Sequence, residues 1–239
     1  MNPLLEAPWV KTSIFRIDWL HAGDQGVGAD FVGNLFYHLH DKFPGTTKDQ
    51  KYSAMYQEID QYYVDEDVLD RLDTLKPTFV ESKNGMKLRC SAAKVRQLVP
   101  FAFRLATEVC DLTNPVEHAI YLAAYHLKEV YSTLSSTCID ADAKMKEHGP
   151  KFALQYVALH DQLNESDSRL WRIKPKMHMF MHLCGEGGEP GKYWCYRDED
   201  FGGSVAKAAR RRGGLLRPKS TSSSVLMCFS ILTPRVSLR

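Results

Sequence analysis

"TSIFRIDWLHAGDQGVGADFVGNLFYHLH", residues 12–40, is the stretch on which the fold turns. Val10, Ser13, Phe15 and Ile17 alternate with Thr12, Ile14 and Arg16 at the period of a pleated strand, although Ile14 makes both faces partly apolar. After Asp18 the pattern changes. Gly23, Gly26 and Gly28, interspersed with Asp24, Gln25 and Asp30, spell a turn, and Phe31, Leu35, Phe36 and Leu39 then follow at helical spacing. The expectation is a strand ending on Asp18, a glycine-rich turn and a helix, and in α/β folds ligands and catalysis gather at such strand ends. Taken alone, an Asp in this place more often caps the following helix or turn.

Working outward, 239 residues with 44% hydrophobic content suffice for one domain, or a domain with an insertion, around a buried core. "MNPLLEAPWVK" has neither the basic start nor the apolar run of a signal peptide, and no segment approaches a membrane span. A soluble chain inside the cell, with no membrane partner, is expected. Cys90, Cys110, Cys138, Cys184, Cys195 and Cys228 are scattered without a CxxC pair, so they read as reduced and mostly structural thiols rather than a disulfide framework or zinc module. The net charge of +2 is unevenly spread. From Gly202 onward Lys207, Arg210, Arg211, Arg212, Arg217, Lys219, Arg235 and Arg239 stand without an acid, so the body before them is acidic. Within it, Glu58, Asp60, Asp65, Glu66, Asp67, Asp70 and Asp73 surround Arg71. They lack the Gly-centred spacing of a calcium loop and read as a solvated helix face.

From Pro44-Gly45 the chain turns helical. Thr46 or Thr47 starts a helix carrying Tyr52, Met55, Tyr56 and Ile59, a short acidic helix follows with Val68, Leu69 and Leu72, and Lys76-Pro77 stops it. Asn84-Gly85 marks a turn, and Ser91 opens a helix through Val95, Leu98, Ala102, Leu105 and Val109 with Pro100 as a kink. In "NPVEHAIYLAAYHLKEVYSTL" Asn114 caps, Pro115 takes the first helical position and Glu117 completes a capping box, with Val116, Ile120, Ala123, Leu127, Val130 and Leu134 on one face. Phe152, Tyr156, Leu159 and Leu163 mark another helix. His118, His126 and His160 read as ordinary surface or core-edge histidines.

The last third holds "WRIKPKMHMFMHLCGEGGEPGKYWCYRDEDFGGSVAKAARRRGG", residues 171–214. A helix after Lys174-Pro175-Lys176 places His178 and His182 at i and i+4, a spacing a metal accepts. It needs a third ligand, Met179 stands where HExxH has its glutamate, and such a pair on a Met- and Phe-rich helix is more often structural. "GEGGEPG" lacks the Lys-Ser/Thr ending of a phosphate loop. Asp198, Glu199 and Asp200 precede a helix and the Arg210–Arg212 run. The plain reading is dipole stabilisation of a helix start, and the sharper one a divalent metal held beside a nucleic-acid backbone. From Gly214 the composition shifts to a basic, Ser-rich tail, expected to be disordered.

A strand ending in Asp, a helix, an all-helical block and a late acidic cluster resemble the second half of an RNase H-like DDE transposase interrupted by a helical insertion, closest to the CACTA and Kyakuja-Dileera-Zisupton elements. "DWLH", residues 18–21, matches that family's D-x-[ML]-H motif in spacing, "KPKMHMFMHL" resembles its PKxHxxxHL segment, and "RDEDFGG" resembles the context of its last acid, which points to Glu199. The resemblance covers roughly residues 12–213, through order and spacing in the middle. It implies a mainly α fold with a small α/β remnant. Residues 1–44 would be a partial RNase H-like strand and helix, 45–170 the helical insertion, 171–213 the segment with the third acid, and 214–239 the tail.

It also implies Asp18 and Glu199 as catalytic ligands of Mg²⁺ or Mn²⁺, with His21 orienting Asp18 or approaching a phosphate. Arg210, Arg211 and Arg212 would neutralise DNA phosphates. Only Met1 to Lys11 precede the strand, too few for the family's first catalytic Asp. The expectation is therefore a fragment or remnant of a transposable element, inactive alone, whose partner, a homo-oligomeric copy or another chain, supplies the rest. The basic run is compatible with a nuclear location, the alternative being cytoplasmic. Two other classes stand beside it: a non-enzymatic helical protein-interaction scaffold built on residues 114–163, and a metalloprotein using His178, His182 and one acid of residues 198–200.

Overall fold

The computed structural model describes residues 16–135, 137–186, 190–192 and 194–211. The chain divides into two compact units, Met1–Tyr193 and Trp194–Arg239. Among the described residues it is mainly α-helical and contains no strand. The first unit runs from a π-helical segment, Leu20–Gly28, directly into α1 (Ala29–Leu39) and a 3-10 turn at His40–Lys42. It continues through α2 (Lys48–Asp65), α3 (Pro77–Val80), α4 (Ala92–Val109), α5 (Pro115–Ser132), α6 (Ala141–Leu163), α7 (Pro175–Glu186) and a last 3-10 turn, Pro190–Lys192. The second unit contributes α8 (Tyr196–Arg211).

The opening stretch departs from its expected form. Residues 10–15 of the expected strand lie outside the described residues, Arg16 to Asp18 have no regular structure, and the helix starts at Trp19. The glycine-rich "turn" is helical. Ala22, Gly23, Asp24, Gly26, Val27 and Gly28 are buried, and a buried backbone must pair its own N–H and C=O groups, which a helix does within the segment. The glycines serve close approach: a Cβ on Gly23 would lie 2.6 Å from the Trp19 indole. Glycine at Gly33 likewise lets α1 lie against extended backbone, since a Cβ there would meet Lys87 Cα at 2.5 Å, and Leu88 N–H donates to Ala29 O beside it at 2.8 Å.

The helical block follows its local signals closely. Thr47 caps α2 in a reciprocal box with Gln50, and Asn114 Oδ1 accepts from Val116 N–H at 2.9 Å at the start of α5. Glu117 does not complete a box on Asn114; its carboxylate turns to Lys42 and to the Asp111 N–H. The expected acidic helix at residues 68–72 is absent. The chain leaves α2 through Asp67 in the left-handed region (φ 48°), and Arg71 binds the Val68 and Tyr63 carbonyls. Pro100 is accommodated within an unbroken α4.

In the core, α1 is wrapped on every side: Phe31, Val32, Leu35, Phe36 and Leu39 are fully buried. Aromatic rings connect its neighbours. Phe31 meets Phe152 of α6 at 5.6 Å and Trp171 at 5.8 Å, Phe152 meets Phe180 of α7 at 5.7 Å, and Phe180 meets Trp19 at 5.7 Å. Such pairs contribute about 0.5–1.5 kcal/mol each beyond area burial. Segment 16–44 and α7 therefore share one core with the helical block, and the unit boundary falls at residue 193.

Candidate functional site

Asp18 ends the irregular entry and caps the helix behind it. Its carbonyl accepts from Ala22 N–H at 3.1 Å, and its Oδ2 accepts from His21 N–H at 2.9 Å. The same oxygen lies 2.6 Å from His21 Nδ1. A carboxylate oxygen accepts, so this contact is a hydrogen bond in the tautomer that carries its proton on Nδ1. Asp18 is thus a helix cap, with His21 within hydrogen-bond distance of the same carboxylate oxygen.

The other two acids of the motif are occupied. Asp24, fully buried, accepts from Trp19 Nε1 at 3.2 Å. Asp30, buried on α1, accepts from Lys174 Nζ at 2.8 Å. Burial pushes the Asp30 pKa above the ordinary carboxylate range, against the downward pull of Lys174, Lys87 and Lys176. Lys87 is half-buried, its pKa is lowered by burial, and its Nζ donates to Gln25 O at 2.5 Å. Lys176 packs along the π segment, where a Cβ on Gly26 would lie 2.9 Å from its Cδ. Three lysines around one buried carboxylate leave local positive charge beside Asp18's helix.

The opening segment and the "KPK" helix therefore meet. Lys174 of "KPK" pairs with Asp30, Phe180 of α7 stacks near Trp19, and Asn34 of α1 receives the Trp171 N–H at 2.8 Å. Asn34 also donates to Asp30 O at 2.8 Å and Met86 O at 3.4 Å. Trp171 needs this support, because its φ of 47° is a left-handed conformation that costs a bulky residue about 1–3 kcal/mol.

On the outer side of α7, His178 and His182 face the same way, their Nε2 atoms 3.0 Å apart. The histidines expected to be ordinary do have partners: His126 Nδ1 lies 2.9 Å from His148 Nδ1, and His160 Nδ1 lies 3.1 Å from Trp171 O. Burial, with His148 adding to it, lowers the His126 pKa. Three of the thiols are structural in character, since burial pushes Cys184 up to about 12 and Cys90 and Cys110 up to about 11.

Asp198, Glu199, Asp200, Arg210 and Arg211 lie on α8, with acids at its start and arginines at its end as expected, but their side chains lie outside the described residues. Arg212 and the tail lie outside altogether. Of the two acids predicted to hold metal, the structure thus describes the carboxylate of Asp18 alone. An oxygen donor that is only partly exposed and held in place suits Mg²⁺ or Mn²⁺ as one ligand among several. Sequence reasoning missed the Asp30–Lys174 pair and the Asn34 junction. Their signal was a polar residue on the buried side of an apolar helix, which must find a partner. The chain matches no family model, and neither the curated proteins nor the solved structures contain a significant match to it.

Proposed function

We propose that the chain derives from the metal-dependent strand-transfer domain of an RNase H-like DDE transposase and associates with nucleic acid. The observation that supports this reading best is the meeting of the "DWLH" segment with the "KPK" helix through Asp30–Lys174 and Trp19–Phe180. These motifs are more than 150 residues apart in sequence, yet they share one core. In the resembled family the "KPK" segment precedes the final acid, so its seating against the Asp18 segment fits that order, and the excess of lysine around Asp30 gives that junction a charge attractive to phosphates. In this reading Asp18 and Glu199 hold Mg²⁺ or Mn²⁺, His21 orients Asp18, and Arg210, Arg211 and Arg212 contact the DNA backbone. A pair of such ions supplies activation of a water or hydroxyl and stabilisation of the leaving oxygen. This chain's residues hold, orient and neutralise.

The test is fluorescence anisotropy of the full chain on labelled single- and double-stranded DNA over a range of salt. Binding with a negative log–log salt slope is expected. Neutralising Arg210, Arg211 and Arg212 together should reduce the slope's magnitude by up to about 3 on duplex DNA. Absence of binding to either form, or an unchanged slope, would remove the nucleic-acid role. A second reading, a helical interaction scaffold, rests on Leu154 and Val157, exposed one turn apart on α6. It is favoured if DNA binding fails and L154E/V157E abolishes self-association seen by light scattering.

A further inference from the structure

His178 and His182 carry an inference that stands apart from the nucleic-acid reading. Both are exposed on α7, one turn apart, and their rings stand nearly perpendicular with the two Nε2 atoms 3.0 Å from each other. They line an open concavity of about 290 Å³ together with Met181 and Gly185. Beside them a Cβ built on Gly185 would meet no atom of the described residues within 4 Å. The helix beneath is anchored, since Phe180, Leu183 and Cys184 are buried and Lys174 at its entry is paired with Asp30. The two imidazoles are therefore presented on a rigid element, the condition for a preorganised chelate.

Two ring nitrogens this close share either one proton, as a hydrogen bond, or one cation, and for a bound cation the distance bears on which ion fits. With metal–nitrogen bonds of about 2.0–2.1 Å, nitrogens 3.0 Å apart subtend about 95° at the metal, whereas a tetrahedral centre needs about 3.3–3.4 Å. An angle near 90° is that of neighbouring positions in a square-planar or tetragonal complex, the geometry of Cu(II) and Ni(II) with nitrogen ligands. We propose that His178 and His182 form a two-nitrogen chelating site for a tetragonal divalent transition ion, Cu²⁺ before Ni²⁺ and both before Zn²⁺. Met179 occupies the place where the HExxH helix carries its glutamate, so the site binds without a general base beside it.

The test titrates Cu²⁺, Ni²⁺ and Zn²⁺ separately into the full chain by calorimetry, and takes an electron paramagnetic resonance spectrum at one equivalent of Cu²⁺. The expected result is a tetragonal Cu²⁺ signal split by two imidazole nitrogens. H178A and H182A should each weaken the first equivalent on the order of a hundredfold, because removing one of two linked ligands forfeits the effective concentration of the pair. Circular dichroism of these exposed-residue variants should overlay on the parent. If H178A/H182A binds the first Cu²⁺ as tightly as the parent, or Zn²⁺ binds more tightly than Cu²⁺, the site is overturned and the contact is a hydrogen bond between imidazoles. Mn²⁺ binding and DNA binding should be indifferent to both substitutions, so failure here leaves the transposase reading standing, and the reverse holds as well.

Discussion

Replacing Lys174 by Met tests whether the "KPK" helix is locked to the opening segment by charge. The Asp30 side chain is 7% exposed and Lys174 33%, with 2.8 Å between Nζ and Oδ1. Removing one partner of a buried pair costs about 3–5 kcal/mol, because the other charge is left without compensation. Here the lysine is partly solvated and Lys87 and Lys176 remain near the carboxylate, so the expected loss is smaller, about 2 kcal/mol. In a chain of this size that lowers the melting temperature by about 4–8 °C. D30N/K174M should recover much of the loss, since no buried charge remains, giving a coupling energy of about 1 kcal/mol or more in a double-mutant cycle. Urea denaturation followed by tryptophan fluorescence reads all four proteins, with Trp19 and Trp171 as buried reporters. If K174M unfolds within 0.5 kcal/mol of the parent (the scale of about 0.5 kcal/mol being that of ordinary surface changes) and the coupling is nil, the junction is not held this way.

Asp30 and Glu117 should respond to pH with opposite signs. The Asp30 pKa is raised, by burial first, so the folded state keeps a proton that the unfolded chain has released: its contribution is fully present below the ordinary value of 3.8 and is lost as pH rises through the folded pKa. The Glu117 pKa is net lowered, burial being outweighed by Lys42 and the Asp111 N–H, so its contribution is present above 4.5 and is lost as pH falls through the folded pKa. Chemical denaturation between about pH 3 and pH 7 should therefore show E117Q with a shallower acid loss than the parent, and D30N without the loss that the parent undergoes as pH rises through the Asp30 pKa. N34A should cost about 2–4 kcal/mol, because the buried Trp171 N–H loses its acceptor and the left-handed Trp171 its support; a loss below about 1 kcal/mol contradicts that role. G33A should destabilise by about 1–3 kcal/mol through contact with the Lys87 backbone, whereas G202A, where a Cβ would meet no atom of the described residues within 4 Å, should be neutral or raise helicity, read by circular dichroism.

The helices were legible where their signals were local. The Thr47–Gln50 box, the Asn114-Pro115 start and the i, i+4 placement of His178 and His182 depend on residues within one turn of each other, and the structure keeps each. Legibility failed where distant residues decide. "GDQGVG" has turn composition, but Trp19, Tyr131 and Lys176 surround it, and in that setting a backbone that pairs internally prevails over glycine's preference for turns. The acidic stretch after α2 had helical spacing over too few residues to nucleate, and Asp67 breaks it. Asp18 and His21 were linked in the sequence only through the resemblance, and their side chains lie within hydrogen-bond distance of each other. Asn34 and Lys174 could not be matched in advance, because the residues they serve lie 137 and 144 positions away.

The role proposed for Asp18 and Glu199 is to hold metal for a strand-transfer domain. Electron paramagnetic resonance of Mn²⁺ titrated into the full chain, its D18N and E199Q variants and H178A/H182A tests it most directly. The account predicts Mn²⁺ binding that D18N and E199Q each remove and H178A/H182A leaves intact. Mn²⁺ binding that survives both acid substitutions, or no binding by the parent chain, would contradict it.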